Sequence, residues 1–158
     1  MGDWRYAILN TDDCLLSILC MEIQIRVSRR YARRVRRKEL QTVARRALAL
    51  ERPGAALNLT VVIVSDRAMR NYNKRFHHVN APTDVLSFPS VAGDNYLGDI
   101  IISYETAKAN ARMAGWRVRD ELQLLVTHGI LHLLGYDDTT PDARATMWRR
   151  QAEILESA

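Results

Sequence analysis

Cysteine is nearly absent from this chain of 158 residues: Cys14 and Cys20 are the only two, both within the first twenty positions. Neither stands in a C-x-x-C or a mixed Cys/His spacing, so neither a disulfide framework nor a thiolate metal site is indicated. Long apolar runs are missing too. The stretch from Cys14 to Met21, broken by Ser17, falls well short of the roughly 20 residues that cross a bilayer. Asp12 and Asp13 precede it where a secretory signal would carry basic residues. No export signal and no membrane partner are therefore expected, and the expected location is the cytoplasm. Internal repeats, low-complexity tracts and a linker are lacking as well.

Hydrophobic residues make up 47% of the sequence, enough at this length for one domain with its own core. Residues 1–20 carry no clear period and are expected to be an N-terminal extension, with Met21 the natural start and the domain running over 21–158. Lysine is scarce, three against twenty arginines, within a net charge of +5. Arginine's planar fork suits phosphate, which fits an anionic partner.

Ile23, Ile25 and Val27 alternate with polar neighbours as a half-buried strand does. Ser28 is placed to cap a helix over about 29–50, striped by Val35, Val43, Ala47 and Leu50 and stopped by Pro53 and Gly54. Leu57 to Val64 is a β-branched run typical of a central strand, followed by a helix from Asp66 through Arg75. Asp84 to Phe88 and Leu97 to Ser103 predict two more strands, joined through Gly93, Asp94 and Asn95. Helices are expected over about 104–114, 118–134 and 141–156, the last capped by Thr140 with Pro141 in its first turn. The order β-α-β-α-β-β-α-α-α predicts a single α/β domain built on a mixed four-stranded sheet.

The helix from about 118 is apolar nearly all round, which marks it as buried, yet it carries His128 and His132 four residues apart. At 100° per residue these lie about 40° apart and one turn along, so both rings can face one centre. Gly135 ends the helix, and the reversal can bring Asp137 or Asp138 back toward the pair. Two imidazoles, a carboxylate and an open position form a catalytic metal site, where a cation lowers the pKa of water from 15.7 to about 7. The alternative is a pair of core histidines, each needing its own buried hydrogen-bond partner. Zinc proteases place a glutamate directly after the first histidine; here that position is Gly129, which disfavours glutamate-assisted peptide hydrolysis. A glycine inside a helix costs about 1 kcal/mol against alanine and suggests that a neighbouring backbone approaches there.

Thr127 to Asp137 reads T-H-G-I-L-H-L-L-G-Y-D and resembles the signature of the YbeY family, endoribonucleases of bacterial ribosomal RNA maturation, whose pattern is H-G-x-L-H-L-L-G-Y-D-H. Asn71 to Arg75, Pro82 to Pro89 and Leu97 to Ile100 match as well, so the resemblance covers nearly everything after residue 20. It implies an α/β fold with a zincin-like metal helix and ligands His128, His132 and, where the family has a third histidine, Asp138. Zinc is the first choice of metal, although two histidines and a carboxylate also suit Fe²⁺, and Mn²⁺ or Ni²⁺ are further options. The resemblance assigns Arg75 to the reaction, with a scissile phosphate as the group it would hold. Asp84 and Asp99 have structural roles or orient the ligand rings, and His77 and His78 are expected in solvent.

The resemblance further implies single-stranded ribosomal RNA as substrate and ribosome-associated proteins as partners. Arg29, Arg30, Arg33, Arg34, Arg36, Arg37 and Lys38 supply seven basic residues in ten, either an RNA-backbone contact or a solvated helix face. Two rival readings are a metalloprotease-like hydrolase, which Gly129 opposes, and a ribosome-binding or RNA-binding protein whose catalysis is weakened at Asp138.

Overall fold

The alternation at Ile23 and Ile25 produces an edge strand, β1 (Ile23–Val27), with Gln24 and Arg26 turned to solvent. The β-branched run becomes the interior strand β2 (Asn58–Val64). β3 (Val85–Pro89) and β4 (Tyr96–Ser103) complete a sheet of order β1-β2-β4-β3. β1, β2 and β4 are parallel, while β3 runs antiparallel to β4 along the other edge. The helices are α1 (Arg37–Glu51), α2 (Asp66–His77), α3 (Tyr104–Ala114), α4 (Val118–Leu133) and α5 (Pro141–Glu156). The computed structural model describes residues 21–91 and 95–156, so the expected extension over 1–20 and the turn at Gly93 and Asp94 lie outside the described residues. No helix among the described residues is long and apolar enough to cross a membrane.

Alternate residues of the inner strands feed two cores. Leu59, Val61, Ile63, Ile100 and Ile102 point to one face, where they pack with α1, α4 and α5 through Leu48, Val126, Ile130, Met147 and Ile154. Ile101 and Leu86 point to the other and are covered by Met69 of α2 with Val62, Val64, Tyr72 and Phe88. The face that carries the three helices is the one that builds the site.

The first helix begins later than its sequence pattern suggests. Ser28 makes no side-chain cap; Arg29–Tyr31 form a short 3₁₀ turn, and Arg36 is extended before α1 starts at Arg37. Tyr31 and Val35 are nevertheless both buried, at the i, i+4 spacing that imitates a helical stripe. The Val35 amide donates to the Tyr31 carbonyl at 3.2 Å, so one isolated turn keeps both anchors inward with the seven basic residues exposed around them.

α4 crosses β4 at Gly129. A Cβ there would lie 2.7 Å from Ile100 Cγ2, so the group approaching the helix is a strand side chain and not the neighbouring backbone the sequence suggested. Ser87 Oγ of β3 donates to the Gly129 carbonyl at 3.3 Å, a second tie between this helix and the sheet. Thr140 caps α5 as expected, accepting from the Ala143 amide at 3.2 Å.

Candidate metal centre

α4 ends in a double backbone closure. The Gly135 amide donates to the His132 carbonyl at 3.0 Å and the Tyr136 amide to the Leu131 carbonyl at 2.9 Å. Gly135 has φ +95°, the left-handed conformation this closure needs and a side chain resists. The reversal carries residues 136–138 back over the last turn of the helix.

The Nε2 atoms of His128 and His132 lie 3.0 Å apart, and each is 3.9 Å from a carboxylate oxygen of Asp138. Around a tetrahedral zinc with bonds of about 2.0–2.1 Å, ligand atoms sit about 3.3 Å from one another, so this spacing fits a cation. The hydrogen bonds decide the tautomers. His128 Nδ1 donates to Gln151 Oε1 at 3.2 Å and His132 Nδ1 donates to the Tyr136 carbonyl at 3.1 Å. A carbonyl oxygen only accepts, so the protons belong on Nδ1 and both Nε2 atoms offer lone pairs to the centre. Two lone pairs and a carboxylate then converge with no donor among them. Such an arrangement is repulsive by itself and is satisfied by a positive ion.

Burial holds the His128 imidazole below its ordinary pKa, with the neighbouring His132 acting in the same direction and Asp138 opposing. Its ligating neutral form is thereby favoured. His128 is 17% exposed at its side chain against 39% for Asp138, so the centre opens on the carboxylate side.

Asp137, the other acid after the helix, is engaged elsewhere: its carboxylate accepts from the Thr139 amide and hydroxyl, and those bonds hold its pKa below the usual range. Asp84 accepts from the Val85 amide at 2.8 Å and from Asn110, and Asp99 accepts from the Tyr96 hydroxyl at 2.8 Å, both structural roles. His77 and His78 are exposed, and His78 ends α2 with φ 60°. Arg75 is exposed near the end of α2 with its guanidinium 5.4 Å from the Phe76 ring centroid, and none of its described contacts reaches the triad. The seven basic residues from Arg29 to Lys38 are all exposed. They stand at the start of α1, whereas the metal loop touches its far end, where the Tyr136 hydroxyl donates to Glu51 at 2.8 Å. At 1.5 Å per residue the two ends of that helix are roughly 20 Å apart.

Two supports of the site escaped the sequence reading. Gln151 lies on α5 among the inward positions Met147 and Ile154, and a polar residue in that stripe was the available signal. Glu51 is the other: its buried carboxylate takes the Tyr136 hydroxyl and pairs with Arg150, locking the metal loop to α1 and α5.

The family described as Endoribonuclease YbeY matches residues 23–158, which include the whole of this centre. The chain belongs to the YbeY family. A relative of that name from Moorella thermoacetica is 41% identical over 128 residues, covering 73% of this chain and 82% of the relative. Another, from Frankia casuarinae, is 38% identical over 131 residues, covering 75% of this chain and 65% of that longer protein, just under two thirds of its length. The fold is similar to the solution structure of a Thermotoga maritima protein, with a TM-score of 0.58 and 26% identity over 85% of this chain and 90% of that one. Membership of the YbeY family gives the His128, His132 and Asp138 cluster its chemical context.

Proposed function

We propose that this chain is a metal-dependent endoribonuclease that cuts single-stranded ribosomal RNA in the cytoplasm during ribosome maturation. The observation that carries the reading is the convergence of His128, His132 and Asp138 at the end of the buried helix of a YbeY-family domain. The donor set fits zinc first, with Fe²⁺, Mn²⁺ and Ni²⁺ as further candidates. His128, His132 and Asp138 would hold the cation, which would supply Lewis-acid chemistry toward phosphate and a lowered pKa for water.

The remaining work falls to side chains of the chain itself. Gln151 and the Tyr136 carbonyl fix both imidazoles with Nε2 inward, and Glu51 with Arg150 fixes Tyr136. Asp138 brings a negative charge where the family pattern has histidine, which lowers the net charge of the site and moderates its Lewis acidity. Arg75 holds a phosphate of the bound strand from the end of α2, and the basic residues Arg29 to Lys38 hold the RNA backbone at the opposite end of α1. The catalytic domain is 21–158 with 1–20 as an extension, and ribosome-associated proteins are the expected partners. Gly129, pressed against Ile100, leaves no room for the glutamate that peptide hydrolysis of the zinc-protease kind requires.

A single-stranded RNA, the same sequence as duplex, and its DNA counterpart test this directly. Wild-type protein should cut the single-stranded RNA most efficiently, with His128→Ala and His132→Ala inactive though folded. Cleavage that persists in both histidine variants, or cleavage of a peptide substrate in place of RNA, would remove the proposal.

A further inference from the structure

We propose that Trp148 is a base-stacking residue at the rim of the metal centre, holding one nucleobase of the RNA next to the cut. This rests on the reading of the chain as an RNA-cutting enzyme.

One flank of α5 borders the metal centre. Arg144 Nε donates to the Asp138 carbonyl at 3.0 Å and Gln151 Oε1 accepts from His128 at 3.2 Å, so these two residues define the flank of α5 that borders the centre. At about 100° per residue, positions 144, 148 and 151 fall within an arc of roughly 60°. Trp148 is therefore one turn along the helix from each of two residues that touch a metal-ligand residue, about 40° round the axis from Arg144 on its solvent side, where side chains on neighbouring turns lie about 5–6 Å apart.

The indole is not there to build the core. Met147 and Ile154 take the inward positions of α5 and are fully buried, whereas Trp148 is 57% exposed. Trp116 offers a contrast: it is 47% exposed, but its indole N–H is spent on Glu121 at 3.0 Å. No described hydrogen bond engages Trp148, and no described ring stacks on it. Arg144, one turn back on the same flank, adds positive charge, since it is exposed and has no described acidic side-chain partner. The centre itself opens on the Asp138 side, next to Arg144.

A large exposed ring with an arginine one turn away, beside a phosphate-cutting site, matches the chemistry of an unpaired nucleotide: a flat apolar face joined to an anionic backbone. Stacking is available only to a base whose faces are free, so this contact selects single strands over duplex at the cut. It is also tolerant of base identity, because every base presents a π face.

The test uses the protein as purified with its metal, one short single-stranded RNA whose cleavage position has been mapped, a copy chemically blocked against cutting at that phosphate, and copies with an abasic nucleotide on either side of the cut. Trp148→Ala should weaken binding of the non-cleavable copy and raise KM by about 5- to 150-fold, the range for loss of one base–aromatic stack. kcat, metal content and melting temperature should stay close to wild type, and Trp148→Phe should recover most of the binding. One abasic position should cost wild type as much as Trp148→Ala does and cost Trp148→Ala nothing further. Unchanged binding in Trp148→Ala, or penalties that add in full with every abasic copy, would overturn the stacking role while leaving the nuclease intact. If wild-type protein cuts no single-stranded RNA, so that no cleavage position can be mapped, the nuclease reading and this inference fall together.

Discussion

Each histidine of the centre is held by a partner that makes it a ligand. Gln151 is the cleanest case because it contacts His128 through one hydrogen bond from a different helix. Gln151→Leu should lower metal affinity by about 10- to 100-fold, the usual cost of losing such a support, while Gln151→Glu keeps the acceptor and should preserve it. Competition with a chromophoric chelator measures both; equal affinity in all three proteins would deny Gln151 this role. His128 also gives the metal-free protein a pH signature. Its folded pKa lies below the unfolded value of about 6.5, so the neutral ring stabilises the fold above that pH and the contribution is lost as pH falls through the folded value. Thermal melts of chelator-treated protein should show stability declining below about pH 6.5, and less steeply in His128→Asn. A profile that is identical in the two proteins would count against the burial argument.

At the level of elements, Gly129 lets α4 lie close on β4. Gly129→Ala gains about 1 kcal/mol of helix propensity but forces its methyl into Ile100, an overpacking that costs about 1–3 kcal/mol. Urea unfolding should show a net loss of stability, and Ile100→Ala should cost less in the Gly129→Ala chain than in wild type, giving a non-additive pair. Simple additivity would mean the two groups do not meet. The period of α4, its glycine stop and the pair of histidines were all legible in the sequence, because each depends on local spacing. The start of α1 was not: Tyr31 and Val35 repeat at a helical interval although only a single hydrogen-bonded turn joins them, after a 3₁₀ segment that ends at Tyr31, and both pack into the one core. Gln151 and Glu51 were hidden for a related reason. Their partners lie 23 and 85 residues away, and nothing local marks a polar side chain as someone else's support.

Over the whole molecule, the metal centre and the basic segment occupy opposite ends of α1. RNA that touches both must be long enough to cover roughly 20 Å. Replacing Arg33, Arg34 and Arg37 together with glutamine should weaken binding of a long single-stranded RNA and flatten its salt dependence by about 2 in log–log slope, at about 0.7 for each lost phosphate contact. A trinucleotide reaching only the metal centre should be cut as before. Equal losses on both lengths would place the basic segment at the cut itself.

The central claim is that Asp138 completes a working metal site in place of a third histidine. Metal analysis of wild type, Asp138→Ala and Asp138→His, purified in parallel and assayed on one single-stranded RNA, tests it most directly. Wild type should hold about one divalent ion per chain and cut RNA, Asp138→Ala should lose both, and Asp138→His should regain metal and cleavage. Metal content and cleavage in Asp138→Ala equal to wild type would contradict it.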